Sequence, residues 1–145
     1  MPRKQSTPPP DIGELRFLYI GTDNTERDVA QYVDVLGATL RWRFQHFDAD
    51  VAALAVGDGP LLLFADHRPA GSILPIYAVE DLRAATKLIK SRGGAIAEGP
   101  LGTPEGDCVI ISFEGGGEIA LLQVDRPGAM DGAFADESNQ QAVRE

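Results

Sequence analysis

The sequence predicts an α+β fold built from two tandem βαβββ modules, and three observations support this. Residues 57–70 and 115–128 align without a gap at an offset of 58, glycine on glycine and Arg-Pro on Arg-Pro. Residues 17–24 precede residues 74–81 by 57 positions and share their order of apolar and polar side chains. A period this long that occurs only twice indicates paired modules rather than an open array of repeats.

The composition is typical of one globular domain in a reducing compartment. A chain of 145 residues can bury roughly two-thirds of its unfolded surface. Cys108 is the only cysteine, so no internal disulfide can form, and we expect a cytoplasmic location. No apolar run is long enough to span a membrane, and the N-terminus lacks the apolar core of a signal peptide.

The charge of the chain narrows the classes of partner. A net charge of −9 argues against nonspecific nucleic-acid binding, which depends on Lys and Arg neutralising phosphates. Arg41 and Arg43 alternate with Trp42, and on so acidic a chain we expect both on a solvated outer face. The acidity is compatible with a cationic ligand, although solubility alone is the simpler explanation. We expect the partner to be a small molecule, and we expect no binding to nucleic acid or to a membrane.

Residues 15–70 are predicted to form the first module. The stretch from Leu15 to Ile20 has the composition of a β-strand. A helix is expected over residues 25–36, because apolar side chains recur there at helical spacing and Gly37 stands where a helix-ending glycine belongs. Oxygens for its N-cap are offered by Asp23, Asn24 and Thr25. Turn residues separate three further strands at about 39–47, 50–56 and 61–66.

Residues 71–125 are predicted to repeat this order as the second module. A strand over 73–79 leads to a helix over 82–92, for which Asp81 is the expected N-cap. Three strands follow near 95–98, 107–113 and 118–124.

Both ends of the chain are predicted to lie outside the modules. Residues 1–14 contain three consecutive prolines, which cannot join a sheet interior, and we expect a flexible Pro-rich arm. Residues 126–145 are polar, acidic and aperiodic, which is typical of a disordered tail or one frayed helical turn. Because each module leaves strand edges to be covered, we expect a homodimer, and the proline arm is a candidate to cross to the partner.

Two short motifs and the module order resemble the vicinal oxygen chelate superfamily, which includes glyoxalase I, extradiol dioxygenases, and fosfomycin- and bleomycin-resistance proteins. Residues 31–37, Gln-Tyr-Val-Asp-Val-Leu-Gly, are similar to the superfamily's Phe-Tyr-x-x-x-Leu-Gly helix end. Residues 116–121, Gly-Gly-Glu-Ile-Ala-Leu, are similar to its Gly-Asn-x-x-Glu-Leu final strand. The resemblance covers about residues 15–125. It implies that the modules together form a cup-shaped mixed sheet with the helices on the outer face.

The resemblance also implies where a metal would be bound. Metal-binding members carry His, Gln or Glu on the first and last strand of each module. The matching positions here are Phe17, Leu62, Leu74 and Ala120. None of these side chains has the oxygen, nitrogen or thiolate donor that a divalent cation needs, and a slip of one residue supplies none either. We therefore expect no metal and no other cofactor.

Strand alternation predicts which side chains line the cup. Most of the lining is apolar, so it is suited to a flat or amphipathic ligand held by burial and stacking, but the same set would equally well form a filled core. The predicted inward-facing residues are Phe17, Tyr19, Leu62, Phe64, Leu74, Ile76, Ala120 and Leu122, joined at the wall by Trp42, Phe44 and His46.

Two functions from different classes follow. The first is a metal-free small-molecule-binding protein of the bleomycin-resistance type, with a hydrophobic or aromatic ligand that can be cationic and drug-like. The alternative is a metal-independent lyase or isomerase that uses Tyr19 or His46. His46 could act as a general base, although at a strand end it needs no function, and His67 is expected only at the rim. Catalysis requires a titratable group within hydrogen-bond reach of the reacting atom, whereas simple binding does not.

Overall fold

The computed structural model describes residues 9–46, 49–136 and 138–143, which divide into two compact units. Within the described residues, the first unit comprises 15–75 and 127–143, and the second comprises 9–14 and 76–126. Both modules follow the order β-α-β-β-β, so the predicted α+β fold of two βαβββ modules is confirmed. The elements are β1 (Ile12–Gly21), α1 (Thr25–Leu36), β2 (Thr39–His46), β3 (Ala49–Ala55), β4 (Leu61–Ala65), β5 (Ile73–Val79), α2 (Leu82–Ser91), β6 (Ala95–Gly102), β7 (Asp107–Ser112), β8 (Glu118–Gln123) and α3 (Ala129–Ala135).

In the first unit the strands lie in the order β2-β3-β4-β1. Strands β1 and β4 are parallel, with Tyr19 opposite Leu63, whereas β3 is antiparallel to both of its neighbours. Helix α1 covers one face of this sheet. Phe64, only 2% exposed, is at the centre of the core there and packs edge-on against Tyr32, with ring centroids 4.8 Å apart.

In the second unit the order is β5-β8-β7-β6, and the parallel pair is β5 and β8, with Ile76 opposite Ala120. Helix α2 covers one face. The core of this unit is formed by side chains of α2 and of strands β5, β7 and β8. Its buried members are Val79, Leu82, Ala85, Val109, Ile111 and Leu121.

Helices α1 and α2 each begin with a side-chain cap. The side chain of Asn24 accepts a hydrogen bond from the backbone N–H of Arg27, and that of Asp81 accepts one from Ala84. Helix α1 ends at Gly37 in the left-handed conformation, at φ 70°, where glycine carries no steric penalty. Of the three candidate caps before α1, the structure therefore selects Asn24, which lies 57 residues before Asp81.

The structure corrects the alignment of the last strand of each module. Tyr19 pairs with Leu63 and Ile76 pairs with Ala120, so one offset of 57 relates the first, third and fourth strands of the two modules. The offset of 58 matched glycines of different conformation, since Gly57 is left-handed whereas Gly115, which was matched to it, is not. A one-residue shift moves every side chain of a strand to the other face.

Leu62 and Phe64, predicted to line the cup, are consequently on the face that α1 covers. Both pack in the core cluster with side chains of that helix. This prediction was wrong, and the β4 residues that face away from α1 include Leu61 and Leu63 instead.

The ends of the chain are more regular than predicted. Strand β1 begins at Ile12, so residues 12–14 of the expected arm are strand, while residues 1–8 lie outside the described part of the structure. In the expected disordered tail, α3 is helical over seven residues. Beyond it, the backbone N–H groups of Gln45 and Val143 donate to the carbonyls of Gln141 and Arg43, at 2.9 and 2.8 Å. These bonds form because β2 is the outermost strand of its sheet and offers backbone groups along its edge.

Candidate functional site

The face of the first unit's sheet that is turned away from α1 is the candidate site. Ile20, Leu54 and Phe64 pack toward α1, so their strand neighbours at odd spacing lie on this face. Trp42 and Phe44 lie there because they pair with Ala53 and Val51 beyond a bulge in β2. We call this surface the aromatic face and define it by Phe17, Tyr19, Trp42, Phe44 and Leu63. All of these except Tyr19 are at most 9% exposed.

Trp42 and Phe44 form the part of the aromatic face that lies on β2. A β-bulge between Leu40 and Trp42 shifts the strand's register at this point. Their ring centroids are 5.8 Å apart with an interplanar angle of 45°. They are 4% and 7% exposed, so protein atoms already cover them.

Part of this cover comes from α3. The ring of Phe134 meets Phe44 edge to face, with centroids 5.9 Å apart at 81°. Beside it, Arg41 Nη2 contacts Asp131 Oδ1 at 3.2 Å. Sequence reasoning missed this contact, because an aperiodic acidic tail gives no signal of where it will dock.

A polar pair lies beside the apolar part of the aromatic face. The hydroxyl of Tyr19 is 2.9 Å from Nε2 of His67, and the ring centroids are 5.6 Å apart. His67 follows β4, whose parallel partner β1 carries Tyr19, so the two residues meet at the same edge of the sheet. At Gly21 a Cβ would overlap the carbonyl oxygen of Pro69, so glycine allows the loop after His67 to pack closely on β1.

The structure places His67 in hydrogen-bond contact with Tyr19, whereas the sequence predicted only a position at the rim of the cup. The signal that could have found it is the parallel pairing of β1 with β4. His46 ends β2 opposite Ala49, and its side chain lies outside the described part of the structure.

Arg43 is buried and not part of the aromatic face, in contrast to the predicted solvated position. Its guanidinium binds both carboxylate oxygens of Asp50, at 2.9 and 2.6 Å. Burial alone would raise the pKa of Asp50, but the hydrogen bonds from Arg43 and Gln45 outweigh it and hold that pKa below its usual value. The hydrogen bond with Asp50 likewise raises the pKa of Arg43.

In the second unit the face turned away from α2 has a different character. Ile76, Ala120 and Leu122 lie there by alternation from the α2 core. Cys108, opposite Leu122, is on the same face. Burial raises the pKa of its thiol, and the nearby carboxylates of Asp107 and Glu98 raise it further. This thiol is therefore a poor nucleophile at neutral pH.

The profile of the Glyoxalase/Bleomycin resistance protein/Dioxygenase superfamily matches residues 14–121, most of the chain. The chain belongs to this superfamily. An uncharacterized protein of Mycolicibacterium smegmatis is 30% identical over 92 residues, which cover 60% of this chain and 73% of that protein.

Solved structures show the same fold for this superfamily member. Methylmalonyl-CoA epimerase from Mycobacterium tuberculosis is 19% identical with a TM-score of 0.68, covering 83% of this chain and 93% of its own. Methylmalonyl-CoA epimerase from Streptomyces coelicolor, in complex with 2-nitronate-propionyl-CoA, is 12% identical with a TM-score of 0.67, covering 80% and 100%. The resemblance to the vicinal oxygen chelate superfamily is thereby confirmed, and at these identities the likeness concerns the fold alone.

The residues at the superfamily's metal positions do not fit a metal in this member. With the corrected register, the positions that the resemblance implies are Phe17, Leu63 and Leu74 in the first unit and Ala120 in the second. All four side chains are hydrocarbons and at most 9% exposed. Across residues 9–46, 49–136 and 138–143, no group of three or more His, Cys, Asp or Glu side chains is arranged to hold a metal ion.

The helices within the described residues are too short or too polar to cross a bilayer.

Proposed function

We propose that this chain is a metal-free small-molecule-binding protein that holds a hydrophobic or aromatic ligand on the aromatic face. The observation that carries the proposal is the union, on one face of one unit, of four aromatic side chains with a single hydrogen-bonding pair. Ligand sites typically combine such apolar walls with a few fixed polar groups. The hydrocarbon side chains at the metal positions support binding without a metal.

The Tyr19–His67 pair supplies the polar part of the proposed site. Tyr19 is half-buried and His67 is exposed, so a ligand beside Tyr19 could reach both. The imidazole has two ring nitrogens, so a further hydrogen bond can form at the nitrogen that does not face Tyr19. We expect the ligand to carry one polar group that reaches this pair.

Trp42 is the chain's only tryptophan and reports directly on the aromatic face. We expect a panel of flat aromatic compounds to include members that change its fluorescence saturably. Tyr19→Phe should weaken that binding by about fivefold to tenfold, the effect of one lost hydrogen bond. A CoA thioester serves as a comparison compound and should bind weakly, because many phosphate contacts are unfavourable at a net charge of −9.

The matched control is Tyr77→Phe, which removes the same hydroxyl from a residue packed on the α2 core. It should leave the titration unchanged. The proposal fails if no compound in the panel gives saturable binding, or if elemental analysis finds about one metal ion per purified chain.

A metal-independent isomerase or lyase is the second candidate, and the 2.9 Å contact between Tyr19 and His67 favours it. Two titratable groups in hydrogen-bond contact can pass a proton to and from a ligand. A bound compound with an acidic C–H should then exchange that hydrogen in D2O faster with wild-type protein than with Tyr19→Phe or His67→Ala. Equal exchange rates with all three proteins would exclude this reaction, and only the proposed binding function would remain.

A further inference from the structure

The C-terminal segment occupies the aromatic face in the way a ligand would. We propose that the surface formed by Arg41, Trp42 and Phe44 is a binding site for an aromatic carboxylate, which gains access by displacing α3. The proposal rests on the proposed binding function and adds to it the ligand class and a removable cover.

The aromatic part of this ligand class follows from Phe134. Its ring meets Phe44 edge to face at 5.9 Å, and Phe44 in turn contacts Trp42 at 5.8 Å. Both distances lie in the range that aromatic pairs prefer. A ligand ring in the place of Phe134 would make the same contact with Phe44.

The carboxylate part follows from Asp131. Its Oδ1 is 3.2 Å from Arg41 Nη2, and the two side chains are 40% and 45% exposed. An exposed pair of this kind contributes little stability, so it is easily exchanged. The planar guanidinium of arginine can bind a free carboxylate through two parallel hydrogen bonds. A ligand carboxylate can therefore replace that of Asp131.

The spacing of the two groups sets the size of the ligand. Asp131 and Phe134 are three residues apart on α3, so their Cβ atoms are neighbours, roughly 5–6 Å apart on one side of the helix. A compound that carries a carboxylate one to three carbon atoms from an aromatic ring spans a similar distance.

Helix α3 has the properties of an element that can leave. It has seven residues, no side-chain cap at its N-terminus and no buried residue. Gly132 in its interior further weakens it. Short helices with few buried contacts open at low free-energy cost. The hydrogen bonds of Gln141 and Val143 to β2 lie beyond α3, so the segment can stay attached while the helix is displaced.

The second unit has no equivalent of this surface. By strand pairing, the places of Arg41, Trp42 and Phe44 are taken in the second unit by Ala97, Glu98 and Leu101. They offer neither a cation nor an aromatic ring, so the proposed site is specific to the first unit.

The test uses the full chain and titrates 3-phenylpropionate against 3-phenylpropanol, with Trp42 fluorescence as readout. Wild type should prefer the acid. Phe134→Ala and Asp131→Asn should each bind the acid about tenfold more tightly, because each removes one competing contact. Arg41→Gln should reduce the preference for the acid about tenfold.

Two variants serve as controls and should match wild type. Asp136→Asn removes a carboxylate from the same segment, and Phe113→Ala removes an exposed phenylalanine from the second unit. Melting curves identify any variant that has unfolded. If Phe134→Ala has unfolded, Asp131→Asn still tests the displacement of α3. The inference is overturned if neither α3 variant gains affinity and Arg41→Gln keeps the acid preference, while wild type still binds aromatic compounds. Absence of binding of every aromatic compound by wild type and all variants would instead overturn the proposed function itself.

Discussion

The two units share a strand and helix frame but differ on the face opposite the helix. On the face that the helix covers, residues 57 positions apart are buried in both cores. Phe64 corresponds to Leu121 in this way, and Leu54 corresponds to Ile111. On the other side, Tyr19 of the first unit corresponds to Ile76 of the second. The repeat therefore retains the packing positions that form each core, while the opposite face is free to diverge and carry function.

The two units also differ in how far the face opposite the helix is covered by other parts of the chain. The aromatic pair Trp42 and Phe44 has a helix of the chain's own C-terminal segment against it. Leu101, which corresponds to Phe44, is 40% exposed in the second unit. Substitutions at matched positions test how far the two units are equivalent, and the largest effect is expected in the cores.

Replacement of the matched core residues should affect both units strongly. Phe64→Ala is expected to lower the free energy of unfolding by about 3–5 kcal/mol, and Leu121→Ala by about 2–5 kcal/mol, because each leaves a cavity in a packed core. Denaturant titration measures both. If Phe64→Ala instead costs under about 1 kcal/mol and weakens ligand binding, Phe64 lines the ligand site and the assigned register of β4 is wrong.

The partly buried ion pair of Arg43 and Asp50 should make the stability of the first unit dependent on pH. Asp50→Asn leaves Arg43 without its anion and should cost about 3 kcal/mol at pH 7. Because the folded-state pKa of Asp50 is lowered, the stabilisation is fully present above the unfolded pKa of about 3.9 and is lost as the pH falls through the folded pKa. Denaturant titrations between pH 7 and pH 2 should show wild type and variant converging in acid.

The second unit supplies the control for this experiment. Asp107 lies 57 residues after Asp50 and is exposed. Asp107→Asn should change stability by less than about 0.5 kcal/mol, as is usual for surface sites. A variant of Asp50 that stays less stable than wild type by a constant amount down to pH 2 would mean that the lost stability is not electrostatic.

The matched helix caps should give the smallest and most similar effects. Asn24→Ala and Asp81→Ala each remove one oxygen that accepts from a backbone N–H, and each should cost about 1 kcal/mol. Thermal or denaturant unfolding measures both. Asp23→Ala, next to the cap of α1, should cost less than half as much, and an equal loss there would argue that Asn24 is not the residue that caps α1.

Many local features of this protein could be predicted from its sequence. Helices α1 and α2, the glycine that ends α1 and the Asp81 cap were predicted because their signals lie within a few residues of one another. The repeat predicted the two modules before any contact was known. The prediction that Trp42 and Phe44 share a face required only the alternation of a strand.

The tertiary structure decided everything that depends on how distant segments meet. It put Phe64 against α1, because the face of a strand depends on a register that one residue can reverse. It brought His67 to Tyr19 across 48 positions of sequence, and it paired Arg43 with Asp50 in a buried site that composition alone predicted to be exposed. It also docked Phe134 on Phe44. Local periodicity contains no information about such contacts, since their free energy arises only when separate strands and helices have already been brought together.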